Sequence, residues 1–391
     1  MRSWRRSRSD PVTTVPDKIR SNIISHTVDV HRYEAGLRRK ITAMIDQLGQ
    51  DLVSQLTSAG LDTPRTAWQR ARLSALLDEA GKTIGKAYEG IASEVSEEMK
   101  GLVQITGWGV VTACNDAFGA ALMVPVKWTP ELLAKLADET LIQGAPSAEW
   151  WARQGDGVTQ AFADQMRQGM LRGETVTQLR DRILGQDLPG VGAVGKVDLR
   201  TIANADRGIY YTARRNAEAL VRTSVMTVAT EAHMEAFRAN ADIMDGITWC
   251  ATLDLRTCAA CGRLDGLSWD MDGNPIGHSI AYPGSYIHWQ DRCARLPKTK
   301  SWEALAKEAH GNSRLAKELD KMTPGNRASM GGPVSGNLTY EDWFGTLSET
   351  RQAEILGPGR FKVFKEQGLS YSDMIGQDGN PLTLKQLEAR I

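Results

Sequence analysis

Apolar residues recur at spacings of three and four through the N-terminal half of this chain, and this period predicts amphipathic helices. The longest such pattern covers residues 16–59, and Gly60 with the Asp62-Thr63-Pro64 turn is typical of a helix end. A second helix is predicted from about residue 64 to residue 98, and residues 105–160 continue the helical pattern. The first 160 residues are therefore expected to be helical.

The pattern changes in the second half of the chain. A glycine-led turn at 173–177 precedes a short helix, and residues 205–240 form another helix with an apolar stripe. From 247 to 297, short apolar pieces alternate with turns such as the one at 271–275, which predicts small β-hairpins. The expected fold is mainly α (α+β): long N-terminal helices, a helical core with a small hairpin subdomain, and a short helical C-terminal tail.

Turn residues and composition divide the chain into five predicted segments. Residues 323–337 hold four glycines and two prolines, which favours a linker. The segments are a basic flexible arm at 1–13, an N-terminal helical domain at 14–160, a domain at 161–300 that contains the hairpin subdomain at 247–297, a helix and Gly/Pro linker at 301–338, and a helical tail at 339–391.

Charge narrows the choice of partners. The chain has 391 residues, with 47 basic and 47 acidic side chains, so the whole molecule is not a basic nucleic-acid binder. The first eight residues differ, because they hold four arginines and no acid. This arm is open to two interpretations, contact with DNA phosphates or with an acidic protein groove. The arginines are Arg2, Arg5, Arg6 and Arg8.

The sequence does not indicate secretion or a membrane span. The arginines are followed by Ser9-Asp10-Pro11 rather than by an apolar run, so a secretory signal is not expected and a reducing compartment is favoured. The most apolar stretch, residues 107–126, contains Asn115 and Asp116. It is typical of a buried helix, and no membrane association is predicted.

Four of the five cysteines lie between Cys250 and Cys293, and this cluster is the main chemical feature of the sequence. Cys258-Ala-Ala-Cys261, His288 and Cys293 offer three thiolates and one imidazole, a donor set that closes a tetrahedral zinc site. Asp291 or Cys250 can substitute as a ligand. Four protein ligands leave no position for water, so the zinc is predicted to be structural. The alternative is a set of small buried hydrophobic thiols that bind no metal.

Catalytic motifs are not convincing in this chain. Gly81-Lys82-Thr83 lacks the leading glycine and the preceding strand of a phosphate-binding loop, and Asp270-x-Asp272-x-Asn274 lacks the downstream glutamate of a calcium loop. A His-Asn-His type nuclease would need polar residues where Ile280 and Ile287 stand. The chain is therefore not expected to be an enzyme.

Four segments together give the chain a recognisable pattern. They are Gly173-Glu174-Thr175 with the helix after it, Ala219-Leu220-Val221-Arg222-Thr223-Ser224-Val225, Trp249 to Asp265-Gly266 around the Cys-x-x-Cys pair, and His288-Trp289-Gln290-Asp291-Arg292-Cys293. In these segments, and in the tail at 339–376, the chain resembles the phage Mu F-type minor head proteins, a portal-binding head morphogenesis family. The shared structural motif includes Arg222, Thr223, Asp265, Gly266 and Arg292.

The chain departs from the family pattern at three positions. Ser224 stands where an acid is usual, Trp289 where a proline is usual, and Asp291 where the first cysteine of a His-Pro-Asn-Cys-Arg-Cys element is usual. Any role of that cysteine is lost or passes to the Asp291 carboxylate. Arg222 is interpreted as pairing with a carboxylate or with the portal, which would fix its helix against the cysteine subdomain; the alternative is a solvated side chain.

The resemblance implies a minor capsid protein of a tailed bacteriophage. Such proteins are assembled in the host cytoplasm, bind the portal, aid head assembly and DNA packaging, and stay inside the head at the portal vertex near the DNA. The implied partners are the portal protein, the major capsid or scaffolding protein, and packaged DNA, and the arginine arm is a candidate contact with DNA or portal. Two alternatives remain: an effector or nucleic-acid-acting enzyme delivered with the genome, and a DNA-binding head protein that affects genome retention or ejection.

Overall fold

The protein is described by a computed structural model, which covers residues 15–61, 67–118, 123–185, 208–285, 287–300, 326–329, 332–335, 338–376 and 380–389. Arg2, Arg5, Arg6 and Arg8 of the predicted arm lie outside these ranges. The described helices are α1 (Val15–Ser58), α2 (Ala67–Phe118), α3 (Pro130–Asp138), α4 (Ser147–Arg172), α5 (Val176–Leu184), α6 (Gly208–Arg238), α7 (Ala259–Leu264), α8 (Tyr340–Thr346), α9 (Glu349–Leu356), α10 (Pro358–Gln367) and α11 (Leu384–Glu388), with a 3-10 turn at Ser372–Met374.

The described strands are short, and they form small antiparallel sheets. They are β1 (Leu141–Ile142), β2 (Ala145–Pro146), β3 (Met244–Cys250), β4 (Ser268–Trp269), β5 (Pro275–Ile276), β6 (Ala294–Thr299), β7 (Asn326–Ser329) and β8 (Gly332–Ser335). The order in the four-stranded sheet is β5-β4-β3-β6. The predicted mainly α fold with some β structure is confirmed. None of the described helices combines the length and the apolarity needed to cross a membrane.

Helices α1 and α2 form a long antiparallel pair. The hydrogen bonds from Asn22 to the Ala113 carbonyl and from Tyr33 to the Glu98 carbonyl show this direction. The sequence predicted that the second helix ends at residue 98, which is wrong, because α2 continues to Phe118. Its buried face simply persists past that point, through Leu102 and Val110.

Helix α6 is the centre of the helical core. Buried residues of α1, α2, α4, α5 and α6 form one apolar cluster, and α6 is buried on most sides. The hydroxyl groups of its buried threonines are hydrogen-bonded, since Thr223, Thr227 and Thr230 each donate to the carbonyl four residues earlier. The boundary predicted at residue 160 falls inside α4. The N-terminal helices and the domain that follows them therefore share this core.

A second core joins the ends of α1, α2 and α6 to the four-stranded sheet and to the C-terminal tail. Trp249 and Trp269 point into it from β3 and β4, and Tyr340 and Phe344 enter it from α8. The hairpins predicted for 247–297 are present, and β6 also pairs with β3 over a long sequence separation. The tail thus packs directly on the hairpin subdomain.

The described residues of the predicted linker form two short strands. Residues 326–329 and 332–335 pair as β7 and β8, with Gly332 opposite Ser329 and Asn326 opposite Ser335.

Candidate metal centre

Helix α7 presents the Cys-x-x-Cys pair. Cys258 is the residue that caps the N-terminus of α7, where its Sγ accepts a hydrogen bond from the Cys261 amide at 3.3 Å. Cys258 is half-buried and Cys261 is buried. The spacing of three along one helical turn places both sulfurs on the same side of the chain.

His288 closes this pair from the opposite side. Its Nε2 lies 3.1 Å from Cys258 Sγ and 3.2 Å from Cys261 Sγ. Its Nδ1 lies 2.8 Å from the Trp289 carbonyl, which accepts a hydrogen bond from the Nδ1–H group. That hydrogen bond orients the ring and directs Nε2 at the sulfurs, as is usual for histidines that ligate metals.

Cys261 also belongs to a second, fully buried group with Asp291 and Cys293, whose ligand atoms all lie within 4.8 Å of one another. Cys261 is shared by the two groups, which together contain all four predicted ligands, Cys258, Cys261, His288 and Cys293. Cys250, the predicted substitute at the end of β3, is in neither group of the described residues.

The donor set fits zinc, and the spacing of three of the donors is near that of atoms that share an ion. Bond lengths of about 2.3 Å to sulfur and about 2.0 Å to nitrogen place two ligand atoms of a tetrahedral site about 3.5 Å apart. The distances from His288 Nε2 to Cys258 Sγ and Cys261 Sγ, 3.1 and 3.2 Å, are somewhat shorter. Cys293 would be the fourth donor, from the group that shares Cys261.

The charges of the cluster also suit a metal. The hydrogen bond with Cys261, followed by that with His288, lowers the pKa of Cys258 to about 4. The hydrogen bond with Cys258 raises the pKa of His288 to about 9. Hydrogen bonds with Cys258 and Cys293 raise the pKa of Cys261. The shift of the Cys258 pKa favours its thiolate form, and an ion bound at the cluster would displace the protons of the other ligands.

Asp291, the other predicted substitute ligand, forms a hydrogen bond and an ion pair with neighbouring groups of the chain. Its Oδ1 accepts the Cys293 amide at 2.9 Å, and its Oδ2 lies 3.3 Å from an Arg295 guanidinium nitrogen. Asp291 is 4% exposed and Arg295 is 1% exposed. The carboxylate therefore acts as the counter-charge of a buried arginine, although Oδ1 lies only 3.9 Å from Cys261 Sγ.

Sequence reasoning missed Arg295. Its guanidinium lies 3.6 Å from the ring centroid of Trp249, a cation–π contact, and donates to the Cys293 carbonyl at 2.7 Å. Trp249 and Arg295 are register partners in β3 and β6. The only local signal was a charged residue inside a strand, and its meaning depends on a pairing between residues far apart in sequence.

Arg292 and Asp254 form a second arginine–aspartate pair, between the loop before β6 and the segment between β3 and α7. Two guanidinium nitrogens of Arg292 meet the two Asp254 oxygens at 2.6 and 2.9 Å. Asp254 also accepts the Arg256 amide, which shapes the turn before α7. This pair connects the segment that precedes Cys258 to the segment that carries Cys293.

Asp265 joins three parts of the chain. Its Oδ1 accepts the Ala251 amide at 2.7 Å, and its Oδ2 accepts the Tyr340 amide at 2.6 Å. Gly266, the next residue, has a φ of 79°, a conformation that glycine adopts without strain. The Asp-Gly motif therefore ends α7, fixes the exit of β3 and holds the first residue of α8.

Arg222 and Thr223 contact the loop that carries His288. Thr223 Oγ1 accepts the Gln290 amide at 3.0 Å, and the Arg222 guanidinium donates to the Gln290 side chain. Arg222 also lies 3.7 Å from the buried Glu34 carboxylate of α1. Gln290 has a φ of 65°, a conformation unusual for a non-glycine residue, and these contacts hold it there. The Arg-Thr pair thus links α6 and α1 to the cysteine cluster.

Comparison with known families gives a match in the region that holds the candidate metal centre. Residues 160–296 match the family model described as Phage Mu protein F like protein. The match includes every segment that contributes to the cluster and to its contacts with α6. No curated protein and no solved structure gives a significant match to the chain.

Proposed function

We propose that this chain, whose residues 160–296 form a Mu F-like domain, is a minor head protein of a tailed phage that binds the portal, aids head assembly and DNA packaging, and stays in the virion near the DNA. The family match carries the proposal. The match covers about a third of the chain, and it includes the residues that bring the helical core and the cysteine cluster together.

The contacts of the motif residues support a structural role. Thr223, Asp254, Asp265 and Arg292 use their polar atoms on other parts of the same chain, mostly at interfaces between segments. Groups engaged in this way hold parts of a fold together. We therefore infer that the domain acts by its shape and binding surfaces rather than by turnover of a substrate.

The cysteine cluster fits a structural zinc ion held by Cys258, Cys261, His288 and Cys293. The ion would connect α7 to the loop before β6 and add its binding free energy to folding. We expect about one zinc per chain, as the four-ligand rule requires, in protein purified with reductant. Cys258→Ser should reduce the zinc content and lower the melting temperature. A stable wild-type protein that contains no zinc would contradict the assignment.

Portal binding is tested by co-sedimentation of the purified chain with portal oligomers, followed by reconstruction of the portal vertex in virions. The proposal expects the chain to sediment with the portal and to occupy density inside the head. A chain that does not bind the portal but degrades or modifies nucleic acid, with that activity lost in His288→Ala and folding retained, would instead support an effector delivered with the genome.

A further inference from the structure

The peptide group between Trp289 and Gln290 is hydrogen-bonded on both of its sides. Its carbonyl accepts the Nδ1–H of His288 at 2.8 Å, and its N–H donates to Oγ1 of Thr223 on α6 at 3.0 Å. A trans peptide is planar, and its carbonyl and N–H point in opposite directions. This peptide therefore connects the helical core to the ring of a candidate metal ligand, and it cannot turn without losing one of the two bonds.

The direction of each hydrogen bond in this series is fixed by its donors and acceptors. The Thr223 hydroxyl donates to the Ala219 carbonyl at 2.8 Å, so the same oxygen accepts the Gln290 amide. The Trp289 carbonyl can only accept, so the neutral form of His288 carries its proton on Nδ1. Its lone pair then lies on Nε2, the atom next to the two sulfurs, which is the form that ligates a metal.

The Trp289 side chain attaches the same peptide to α4. Its ring packs edge-to-face on Trp150, with 5.2 Å between the ring centroids and 81° between the ring planes, a favoured geometry for aromatic pairs. Trp150 is itself held, because its Nε1 donates to the Ile142 carbonyl at 2.6 Å and the Arg153 guanidinium lies 4.8 Å from its ring. Two helices of the core thus hold the peptide, α6 by a hydrogen bond and α4 by an aromatic contact.

We propose that α6 and α4 position the histidine ligand of the metal through the 289–290 peptide, with Thr223 as the main positioning residue. This inference rests on the structural zinc in the proposed function, and it adds that the helical core helps to set the affinity of the hairpin subdomain for the ion. Groups that orient a ligating histidine change metal affinity by about 10- to 100-fold when they are lost. Thr223 acts one peptide further away, so the lower end of this range is expected.

The test measures zinc affinity by competition with a chromophoric chelator, on the full chain purified with reductant. Thr223→Val keeps the shape of the side chain and removes the acceptor, and it should weaken zinc binding by about ten-fold. Thr223→Ser keeps the hydroxyl group and should bind within about three-fold of wild type. Thr230→Val is the matched control and should bind as wild type does, because Thr230 is also buried on α6 and its hydroxyl donates to the Met226 carbonyl of the same helix.

A role of Thr223 in fold stability alone would give a different result. Loss of such a contact lowers the melting temperature of the zinc-free chain but leaves the zinc affinity of the folded chain unchanged. Equal zinc affinity in Thr223→Val and Thr230→Val would therefore overturn the inference. Cobalt(II) in place of zinc gives a second measurement, since its absorption bands respond to the geometry of the ligands. These bands should change in Thr223→Val and not in Thr223→Ser.

A second pair of variants decides the question if Thr223→Val does not fold. Trp289 is 38% exposed, so Trp289→Ala should fold, and it should weaken zinc binding several-fold more than Trp289→Phe, which keeps an aromatic ring against Trp150. Equal zinc binding by these two variants and by wild type would overturn the inference while the zinc assignment stands. A wild-type chain that binds neither zinc nor cobalt would remove the zinc assignment as well, whereas portal binding is tested separately.

Discussion

Asp291→Asn tests whether the buried arginine pair stabilises the hairpin subdomain. The substitution keeps the shape of the side chain and removes its charge. It leaves the Arg295 guanidinium, which is 1% exposed, without the carboxylate that lies 3.3 Å away. Breaking a buried ion pair at one partner costs about 3–5 kcal/mol, because the remaining charge is left uncompensated.

The contacts that Arg295 keeps in Asp291→Asn put the expected loss of stability at the lower end of the range of about 3–5 kcal/mol. The guanidinium keeps its hydrogen bonds to the carbonyls of Cys293 and Gly284 and its contact with the Trp249 ring. We therefore expect a loss of about 3 kcal/mol, which is about a hundred-fold increase in the opening equilibrium of the strands. Asp254→Asn is the matched control, because Asp254 pairs with Arg292, the neighbour of Asp291 in sequence. Asp254 and Arg292 are each 23% exposed, so water can replace the lost partner, and the expected loss is about 1 kcal/mol.

Hydrogen exchange of the β3 and β6 amides, followed by mass spectrometry on the full chain purified with reductant, measures this opening directly. Exchange in Asp291→Asn should be much faster than in Asp254→Asn, while both variants keep the zinc content of the wild-type chain. Equal exchange in the two variants would refute the argument from burial. Loss of zinc in Asp291→Asn would show that Asp291 is a ligand and not only the partner of Arg295.

Three further predictions concern other contacts of the fold. In Gly262→Ala, the added Cβ would lie 3.0 Å from the Tyr340 ring, which should reduce the free energy that holds the tail by about 1–3 kcal/mol and speed proteolysis of the tail. Gly345→Ala is the control, and it should have little effect because nothing lies within 4 Å of the added Cβ. Thr223→Val should lower the free energy of unfolding in urea by about 1–2 kcal/mol, because the Gln290 amide loses its acceptor; no change would contradict its linking role. Burial lowers the pKa of His233 to about 3, so between pH 6.5 and pH 3 the unfolded chain binds a proton that the folded chain does not. The free energy of unfolding should therefore fall by about 1.4 kcal/mol for each pH unit below 6.5. This decline should be smaller in His233→Gln.

The spacing of apolar residues along the chain predicted the helices whose buried face follows a regular period of three to four residues. Helix α1 follows its apolar spacing closely, from Val15 to Ser58. The continuity of α2 was missed because glycines at 101, 107 and 109 weaken the local helical signal. In the structure, Trp128 and His26 pack against two of these glycines, and that contact depends on tertiary structure. Conversely, α3 begins at Pro130 and α4 begins directly after Pro146, and the continuous helical pattern predicted for residues 105–160 missed these helix starts.

The cysteine cluster could be predicted because its residues are chemically unusual and closely spaced. In the structure, Cys258, Cys261 and His288 lie in one group, and Cys293 lies in a second group that shares Cys261. The partners of the remaining motif residues could not be predicted, since a single sequence does not reveal that Asp265 meets the Tyr340 amide or that Thr223 meets Gln290. These are contacts across long separations, and they appear only when the two cores are assembled.

Helix α7 connects the cysteine cluster to the C-terminal tail. One side of this short helix carries Cys261 to the other candidate ligands, and another side packs Gly262 against Tyr340 and Tyr371 of the tail. Arg263 donates to the Gly376 carbonyl, which adds a second contact with the tail. A helix of six residues has little stability of its own, so its position depends on these attachments. A metal at the cluster would therefore stabilise the docking of the tail as well as the hairpins, whereas the helical core around α6 has its own apolar cluster and would depend on it less.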